Sequence, residues 1–418
     1  MTLKKSSLLF CLFLIVFLEN QALSEYNYYD SVSIEYRSVR AMGMGNAFGA
    51  VSDDGDAFYY NPAGMANIRD IKIDFQPIRV IPTRDLFNKY NDLEQFIDDI
   101  EKLNESDNPL EDPALEDERI RVSRNIEDLT DDELGLEAAV PFRFIIPFHV
   151  GNYSLALGGM SHAWSQADFH VIRRGLDWDD FVKDLMDDEI YYDIVGEASY
   201  GGALALEIPL YPLPLELSLG AAARRIHRWQ MTDKNDPMGI EEIINPDGKD
   251  GIPGTDDDFE EKYFDPNDPL ESLIESKGYD LDLGAIVNLA DVMNLGVTIH
   301  NAASKIGDDE LKRSLEVSAS TNIAKLTTPD IPMLDIILAG GLDVEEDMWE
   351  ESDFIEMSRL GVEVCWDFPI LELSGRIGSY HGFMTMGAGL KLFFLDFDYA
   401  FYGDERTDWH AFCLNFAF

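Results

Sequence analysis

The chain has 418 residues, 46% of them hydrophobic, and its 80 acidic and 32 basic side chains give a formal net charge of −48. This charge argues against nucleic acids and other polyanions as partners, because like charges repel on approach. The length suffices for one large barrel or two ordinary globular domains.

The first element is a predicted secretory signal over residues 1–24. Lys4 and Lys5 precede an apolar run at 8–18, and Ala22-Leu23-Ser24 offers small residues for cleavage. The run is too short for a spanning helix, and no later stretch reaches the ~18 apolar residues that such a helix needs. A membrane protein without spanning helices must be a closed β-barrel, whereas the other interpretation of the signal is a soluble periplasmic protein.

Residues 25–69 are predicted to fill the barrel as an N-terminal plug. The segment is too rich in glycine and small residues to fold alone, yet it holds large apolar side chains that must be buried: Met42, Met44, Phe48, Phe58, Tyr59 and Tyr60. A barrel of about fourteen strands leaves a channel unless something fills it. Gly43, Gly45 and Gly49 give G-x-G-x-x-x-G, which departs from the dinucleotide fingerprint, and no parallel βαβ pattern surrounds them.

The rest of the chain, residues 70–418, alternates with the period of β-strands. About fourteen segments follow this pattern, an even number of the kind that bacterial barrels use. They lie near 70–82, 138–148, 153–168, 195–208, 213–229, 278–289, 294–304, 313–325, 334–346, 356–367, 370–380, 384–393, 395–402 and 408–418. The last segment places His410, Phe412, Leu414, Phe416 and Phe418 on one face, as a closing strand that faces lipid requires.

The connections between these segments alternate in length. Short links at 149–152, 209–212, 290–293, 368–369 and 394 interleave with long acidic ones at 83–137, 169–194 and 230–277. Outer-membrane barrels keep short turns in the periplasm and long loops outside, and a first strand that runs outward puts every short link on the periplasmic side. We therefore expect an all-β transmembrane antiparallel barrel in the bacterial outer membrane, with a soluble β-sandwich as the alternative.

The third long loop contains a candidate calcium site. Asp247, Asp250, Asp256 and Asp258 lie among glycines that permit sharp turns, and hard oxygen ligands in a tight loop suit Ca²⁺. The EF-hand spacing is absent, and the fourteen residues 245–258 look more like the Asp/Gly-rich calcium loops of thrombospondin-type repeats. The alternative is a solvated acidic turn.

No pattern of catalytic residues is evident, so we predict that the chain is not an enzyme and has no other cofactor. H-E-x-x-H, G-x-S-x-G and Cys-x-x-Cys are all missing from the sequence. Glu363, Glu372 and Arg376 are expected to pair across adjacent strands inside the lumen. Cys365 and Cys413 remain after signal cleavage, three strands apart, as two free thiols or one bridge across the lumen.

The plug sequence resembles a known family. R-A-x-G-M-G-x-A-F-x-A-V-x-D-D followed by Y-Y-N-P-A-G-M-A, within residues 37–66, is similar to the N-terminal region of FadL-type (OMPP1/FadL/TodX) outer-membrane transporters and their PorV-like relatives. The resemblance implies a fourteen-stranded barrel with a lumenal hatch, in which Gly43, Gly45 and the Asn61-Pro62-Ala63 motif would gate passage. The alternative is that Asn61-Pro62-Ala63 is only a turn that leads into the first strand.

The same resemblance implies the function and the partners. A member of this family would pass hydrophobic small molecules through the outer membrane, contact membrane lipid and depend on barrel-assembly machinery for insertion. The heavily acidic loops depart from the long-chain fatty acid transporters and argue against a fatty-acid anion. The alternative function is a PorV-like scaffold or secretion-associated surface protein, with the acidic loops binding a protein partner.

Overall fold

The computed structural model describes most of the predicted plug and barrel. The described residues are 38–83, 134–172, 189–232, 238–239, 274–290, 292–307, 310–327, 333–345, 354, 357–403 and 408–418, with 95, 99, 102, 113–115, 117–118 and 120–122 in the first long connection. The predicted signal at 1–24, the start of the plug before Ser38 and the candidate calcium loop at 245–258 lie outside them.

Fourteen long strands form the wall, as predicted. They are β1 (Lys72–Pro82), β2 (Leu134–Val150), β3 (Tyr153–Ile172), β4 (Glu189–Pro209), β5 (Leu215–Thr232), β6 (Ile274–Leu289), β7 (Met293–His300), β8 (Ser314–Asn322), β9 (Leu334–Glu345), β10 (Ser358–Phe368), β11 (Leu371–Tyr380), β12 (Phe383–Leu392), β13 (Leu395–Gly403) and β14 (Asp408–Ala417). Each pairs antiparallel with the next, and β14 pairs with β1, so the sheet closes on itself. Two short pairings, Met238–Gly239 with β4 and Lys305–Ile306 with β6, extend the rim.

Several predicted strand ends are wrong. β2 to β6 continue beyond the predicted segments. The connections predicted at 83–137, 169–194 and 230–277 are therefore shorter than predicted, because their end residues belong to strands. β7 stops at His300 because Asn301 turns the chain with a φ of 53°. β8 stops at Asn322, where the prediction continued to residue 325, and the short helix α3 (Ile323–Thr327) follows.

One short connection departs from the predicted asymmetry. Residues 381–382 join β11 to β12 at the end of the barrel that carries the long connections. His381 and Gly382 take φ values of 51° and 91°, the left-handed conformations that a two-residue hairpin with a primed turn uses. The wall therefore has only a tight turn here, at the end of the barrel where other strands are joined by long connections.

The two faces of the wall differ as the alternation predicted. On β5, Leu219 is 44% exposed on the outside, whereas its neighbour Ser218 is 2% exposed and faces inward. Leucine, valine and phenylalanine side chains repeat this outward exposure around the barrel, and charged side chains such as Glu316, Glu363 and Arg143 lie buried inside. An apolar outer band around a polar interior identifies an outer-membrane barrel. No helix in the described part of the chain is long and apolar enough to cross a membrane.

The described part of the predicted plug lies inside this barrel. It begins with α1 (Val39–Gly43), continues through α2 (Ala57–Tyr60) and ends in a 3-10 helix at Pro62–Asn67, just before β1. Met44, Phe48, Phe58 and Met65 are completely buried, and they form one apolar cluster with inward side chains of β2 to β5. We call residues 38–69 the plug from here on.

Candidate functional site in the barrel lumen

The backbone of the first half of the plug lies directly against the wall at two glycines, Gly43 and Gly45. Ser38 caps α1 by accepting a hydrogen bond from the Ala41 amide at 3.4 Å. Gly45 has a φ of 61°, and its amide donates to Oγ1 of Thr385 at 2.9 Å. A Cβ atom on Gly43 would lie only 2.9 Å from Cα of Gly387 on β12. Glycine is required at these positions because any side chain would push the plug off the wall.

The Asn61-Pro62-Ala63 motif performs the same task on the opposite wall. Oδ1 of Asn61 accepts from the Ala63 amide at 3.1 Å and so caps the 3-10 helix, with Pro62 at its first position. Nδ2 of Asn61 donates to the Ala285 carbonyl of β6 at 3.4 Å. Gly220 on β5 leaves room for Pro62 and Ala63. The motif is therefore a capped turn that is also anchored to the wall, while its gating role stays a prediction.

An arginine at the start of the plug joins it to the wall by charge. Nε and Nη2 of Arg40 donate to the two carboxylate oxygens of Glu363 on β10, at 3.0 and 2.7 Å. Nη1 of the same guanidinium reaches Asp53 at 2.7 Å and Asp54 at 2.8 Å, further along the plug. Burial lowers the pKa of Arg40, but the carboxylates of Asp53, Glu363 and Asp54 outweigh that effect and hold the pKa well above its ordinary value.

The Glu363 carboxylate connects the plug to further charged side chains of the wall. Nε of Arg376 donates to Oε1 of Glu363 at 2.7 Å, which confirms the predicted pairing of these two residues across β10 and β11. Arg376 also binds Asp398 on β13. Because Glu363 is completely buried, its charge depends on Arg40 and Arg376 together. We call Arg40, Asp53, Asp54 and Glu363 the plug latch.

A second group of charged and aromatic residues lies at the other side of the plug. Arg224 on β5 binds Asp280 and Asp282 on β6, and its guanidinium lies 5.4 Å from the ring centre of Tyr59. The Tyr59 ring meets His162 of β3 edge-on at 5.8 Å. Burial raises the pKa of the Tyr59 hydroxyl. The phenol therefore stays neutral and serves as a packing group with a polar tip.

A further buried carboxylate, that of Glu316, lies beside the plug at Gly49. Glu316 on β8 is completely buried, and neither carboxylate oxygen has a hydrogen-bond partner among the described residues. Arg359 compensates its charge from 3.6 Å, and the His300 ring lies 3.8 Å away. A Cβ atom on Gly49 would clash with this carboxylate, so only glycine fits at this position of the plug.

The wall itself is interrupted next to the plug. Phe75 pairs with Phe142 and Arg79 with Ala139, so three residues of β1 oppose two residues of β2 in a bulge. Pro77 on β1 and Pro141 on β2 both fall within it. Proline has no N–H to donate, so the hydrogen-bond ladder between the two strands is weakest at this level.

The interruption has apolar surface on its outside, whereas the buried arginines Arg79 and Arg143 flank it on the inside. On the outside, Ile78 is 53% and Val140 45% exposed. On the inside, His162 pairs in register with Pro141, so the Tyr59 ring lies at the same level as the bulge. The apolar cluster between plug and wall, with Ile145 among its members, continues below it. The apolar cluster thus ends below the bulge, where Arg143 of the wall binds Asp56 of the plug.

Sequence reasoning located the plug but missed most of its attachments. The predicted residues Gly43, Gly45, Asn61, Pro62 and Ala63 all lie against the wall, on two opposite sides of the lumen. Arg40 and Glu363 are 323 positions apart, and no local pattern could pair them. The two prolines of the bulge were visible as residues, but their adjacency depends on strand register.

The calcium prediction stays untested. Asp247, Asp250, Asp256 and Asp258 lie outside the described residues. Within the described part of the chain, no group of three or more His, Cys, Asp or Glu side chains could hold a metal ion. Cys365 and Cys413 are both free thiols, which is one of the two predicted outcomes.

One protein family matches the chain by sequence. The model of the family described as "F plasmid transfer operon, TraF, protein" matches residues 58–308, which is more than half of the 418 residues. The match begins in the plug at Phe58 and ends beyond β7. No curated protein matches the chain.

Solved barrels resemble the structure at very low sequence identity. The toluene transporter TbuX of Ralstonia pickettii is 10% identical with a TM-score of 0.47, over 93% of this chain and 98% of that one. A mutant of the monoaromatic hydrocarbon channel TodX is 9% identical with a TM-score of 0.46, over 92% and 98%. The translocator domain of the autotransporter NalP from Neisseria meningitidis is 8% identical with a TM-score of 0.35, over 90% and 99%.

The wall is the closed antiparallel barrel of fourteen strands that the resemblance to FadL-type transporters implied.

Proposed function

This chain belongs to the family described as "F plasmid transfer operon, TraF, protein", and we propose that it is an outer-membrane transporter for hydrophobic small molecules, gated by the plug. The proposal assigns it no catalytic activity. The observation that carries it is the bulge at Pro77 and Pro141, where the ladder is weakest, just above the apolar cluster between plug and wall. A molecule that leaves the lumen there would pass directly into the lipid.

The chemistry of the lumen supports an apolar substrate at this place. Below the bulge, the contact between plug and wall is made by Phe58, Met65, Ile145 and Met160, which offer no charge to a polar solute. Beside the bulge, Arg143 of the wall binds Asp56 of the plug. The charged groups of the plug latch lie on the other side of the plug, against β10. Displacement of the apolar half of the plug would open a path without breaking the latch.

The latch gives the plug a fixed end on which to pivot. The ion pairs of Arg40 hold α1, and those of Asp56 with Arg143 and of Arg69 with Glu207 hold the two ends of the segment 57–67. The segment itself has no charged side chain and is held by hydrogen bonds such as that from Asn61 to Ala285 and by glycine contacts. Buried ion pairs are costly to break singly, whereas apolar contacts can be exchanged for those of a ligand. We therefore place the moving part of the gate at residues 57–67.

The experiment that tests this proposal restores the missing hydrogen-bond donors between β1 and β2. The double variant Pro77→Val and Pro141→Val restores two N–H donors, and cells that carry it are compared for uptake of N-phenyl-1-naphthylamine, a hydrophobic fluorescent probe. Pro147→Val is the matched control, because Pro147 lies on β2 in the regular ladder opposite Ala156. We expect slower uptake in the double variant and unchanged uptake in the control. Equal uptake by all three proteins would rule out the lateral exit.

A second candidate function is a scaffold that binds secreted or transferred proteins. The family description names a plasmid transfer operon, and the plug contacts inward residues of strands around the whole barrel. A scaffold tolerates a lumen that never opens, whereas a transporter does not. A plug locked to the wall by a disulfide would separate the two, because a locked scaffold keeps its function and a locked transporter loses uptake.

A further inference from the structure

The outer surface carries a cluster of basic side chains that the lumen and its gate do not use. Arg225 on β5 points outward and is exposed. It pairs in register with Tyr200 on β4 and with Tyr279 on β6, which are 60% and 49% exposed. Directly paired residues share a face of the sheet, so the three side chains form one row on the outside of the barrel.

More basic side chains surround this row. Lys305 pairs in register with Tyr279, and Lys277 pairs with His227 one step closer to the rim. Among the described residues, one carboxylate belongs to the same area: Glu275 lies 2.7 Å from Nζ of Lys277 and 3.9 Å from Nδ1 of His227. The described cations Arg225, Lys277 and Lys305 outnumber this carboxylate. We call Tyr200, Arg225, His227, Lys277, Tyr279 and Lys305 the outer basic patch.

Arg225 has no carboxylate partner within ion-pair distance in the part of the chain that the structure describes. Two of its neighbours on the same face are small, Ala223 below it on β5 and Gly202 on β4, while Leu281 on β6 completes that lower row. The guanidinium therefore stands between two tyrosine rings, above a row with two small residues. Five donors in a planar fork suit the oxygens of a phosphate group.

The height of the patch places it at a membrane surface. The outward residues of β5 below Arg225 are Leu215, Leu217, Leu219, Ala221 and Ala223. Ten residues separate Leu215 from Arg225, and at about 3.3 Å per residue and a tilt of about 40° they span about 25 Å, the height of the apolar band of such barrels. Arg225 thus lies where hydrocarbon ends and lipid headgroups begin, at the end of the barrel with the long connections.

Solubility does not explain cations at this place. The chain has only 32 basic side chains against 80 acidic ones, so cations that cluster at one place on the outer face are unusual for it. A basic side chain at the boundary of the apolar band is favoured when it meets an anionic headgroup. Tyrosine rings at the same level hold their hydroxyls in the headgroup region.

We infer that the outer basic patch binds the phosphate of a lipid headgroup in the outer leaflet, with Arg225 as the central ligand. The guanidinium takes the phosphate oxygens, Lys305 and Lys277 add charge, and Tyr200 and Tyr279 donate from either side. The small residues below Arg225 leave space for the part of the lipid that joins the headgroup to the acyl chains. This inference is independent of whether the lumen transports anything.

The test is native mass spectrometry of the full barrel in detergent, titrated with phosphorylated lipid A and with the same lipid after dephosphorylation. Removal of one cation beside an anionic surface weakens binding about five-fold, so we expect Arg225→Gln to bind phosphorylated lipid A about five-fold more weakly. The double variant Arg225→Gln with Lys305→Gln should lose about twenty-five-fold. Lys325→Gln removes an exposed charge on α3 at the opposite end, and should change nothing.

Heat-modifiable migration on gels first establishes that each variant forms a barrel. Equal affinity of the wild type and the double variant would overturn the inference and would fit a patch that binds an acidic segment of the chain instead. Equal affinity for the phosphorylated and dephosphorylated lipids would overturn it as well. The titration is repeated with inorganic phosphate at the same concentration at which phosphorylated lipid A saturates the protein. If this phosphate displaces the lipid, the patch is a general anion site, and the inferred recognition of a lipid is contradicted.

Discussion

Arg40 and Glu363 form a bidentate ion pair that fastens the plug to the wall, with nitrogen–oxygen distances of 3.0 and 2.7 Å. The Glu363 side chain is 1% exposed and the Arg40 side chain 18%. The pair is therefore largely withdrawn from water, where loss of one partner is costly even though Arg376 remains.

Arg40→Met should loosen α1 without unfolding the barrel. The variant leaves a buried carboxylate with one cation fewer, which costs about 3 kcal/mol, or roughly a hundred-fold in the opening equilibrium. Hydrogen exchange of the amides of residues 39–48 should accelerate accordingly, while exchange in β10 stays slow. The double variant Arg40→Met with Glu363→Gln removes both charges and should recover part of the protection. No recovery would show that the charge pair is not what holds α1.

Gly361→Ala should push the plug away from β10. A Cβ atom on Gly361 would lie 2.9 Å from the Met44 carbonyl carbon in the plug, closer than real Cβ contacts come. Gly375→Ala is the matched control, because a Cβ atom there meets nothing within 4 Å. We expect a higher single-channel conductance for Gly361→Ala and the wild-type value for Gly375→Ala. Equal conductance of both variants would mean that contact with Met44 does not seat the plug.

A charged side chain on the outer face should impair assembly more than a large apolar side chain at the same position. Leu219→Arg puts a cation on an exposed apolar position of β5 and should cost about 2–4 kcal/mol near the middle of the membrane. Leu219→Phe keeps the surface apolar and should assemble normally. The measurement is urea-dependent folding into lipid vesicles, followed by heat-modifiable migration. Equal folding of the two variants would reverse the assignment of faces on β5.

Calcium should protect the third long connection if the predicted site exists. Asp247, Asp250, Asp256 and Asp258 repel one another without a cation, so a chelator should increase protease cleavage between residues 240 and 262. The control is Asp250→Asn with Asp256→Asn, which should be cleaved equally with and without calcium. A wild-type cleavage pattern that ignores both calcium and chelator would leave only a solvated acidic turn.

The wall was predictable because lipid imposes a simple rule on it. Every spanning residue faces either hydrocarbon or the lumen, so period-two alternation identified all fourteen strands. The rule fails where strands continue past the membrane, and there the predicted ends of β2 to β6 fell short. It also fails at the hairpin of residues 381–382, since turn chemistry rather than hydropathy decides its length.

The lumen was only partly predictable, because its contacts join distant parts of the chain. Glycine content and unburied aromatic residues pointed to a plug, and Gly43 and Asn61 do lie against the wall. The partners of Arg40 and the meeting of Pro77 with Pro141 follow from strand register, which single strands do not encode. The outer basic patch was missed for the same reason, since Tyr200, Arg225 and Tyr279 lie on three strands.

The central claim is that the plug closes a lumen that would otherwise conduct, and single-channel recording in planar bilayers tests it most directly. The variant that lacks residues 37–66 is compared with the intact barrel after heat-modifiable migration has shown that both assemble. The account predicts a larger conductance for the deleted protein, with Gly361→Ala intermediate between the two. Equal conductance of the intact and deleted barrels would contradict the plug assignment and favour a scaffold whose lumen stays shut.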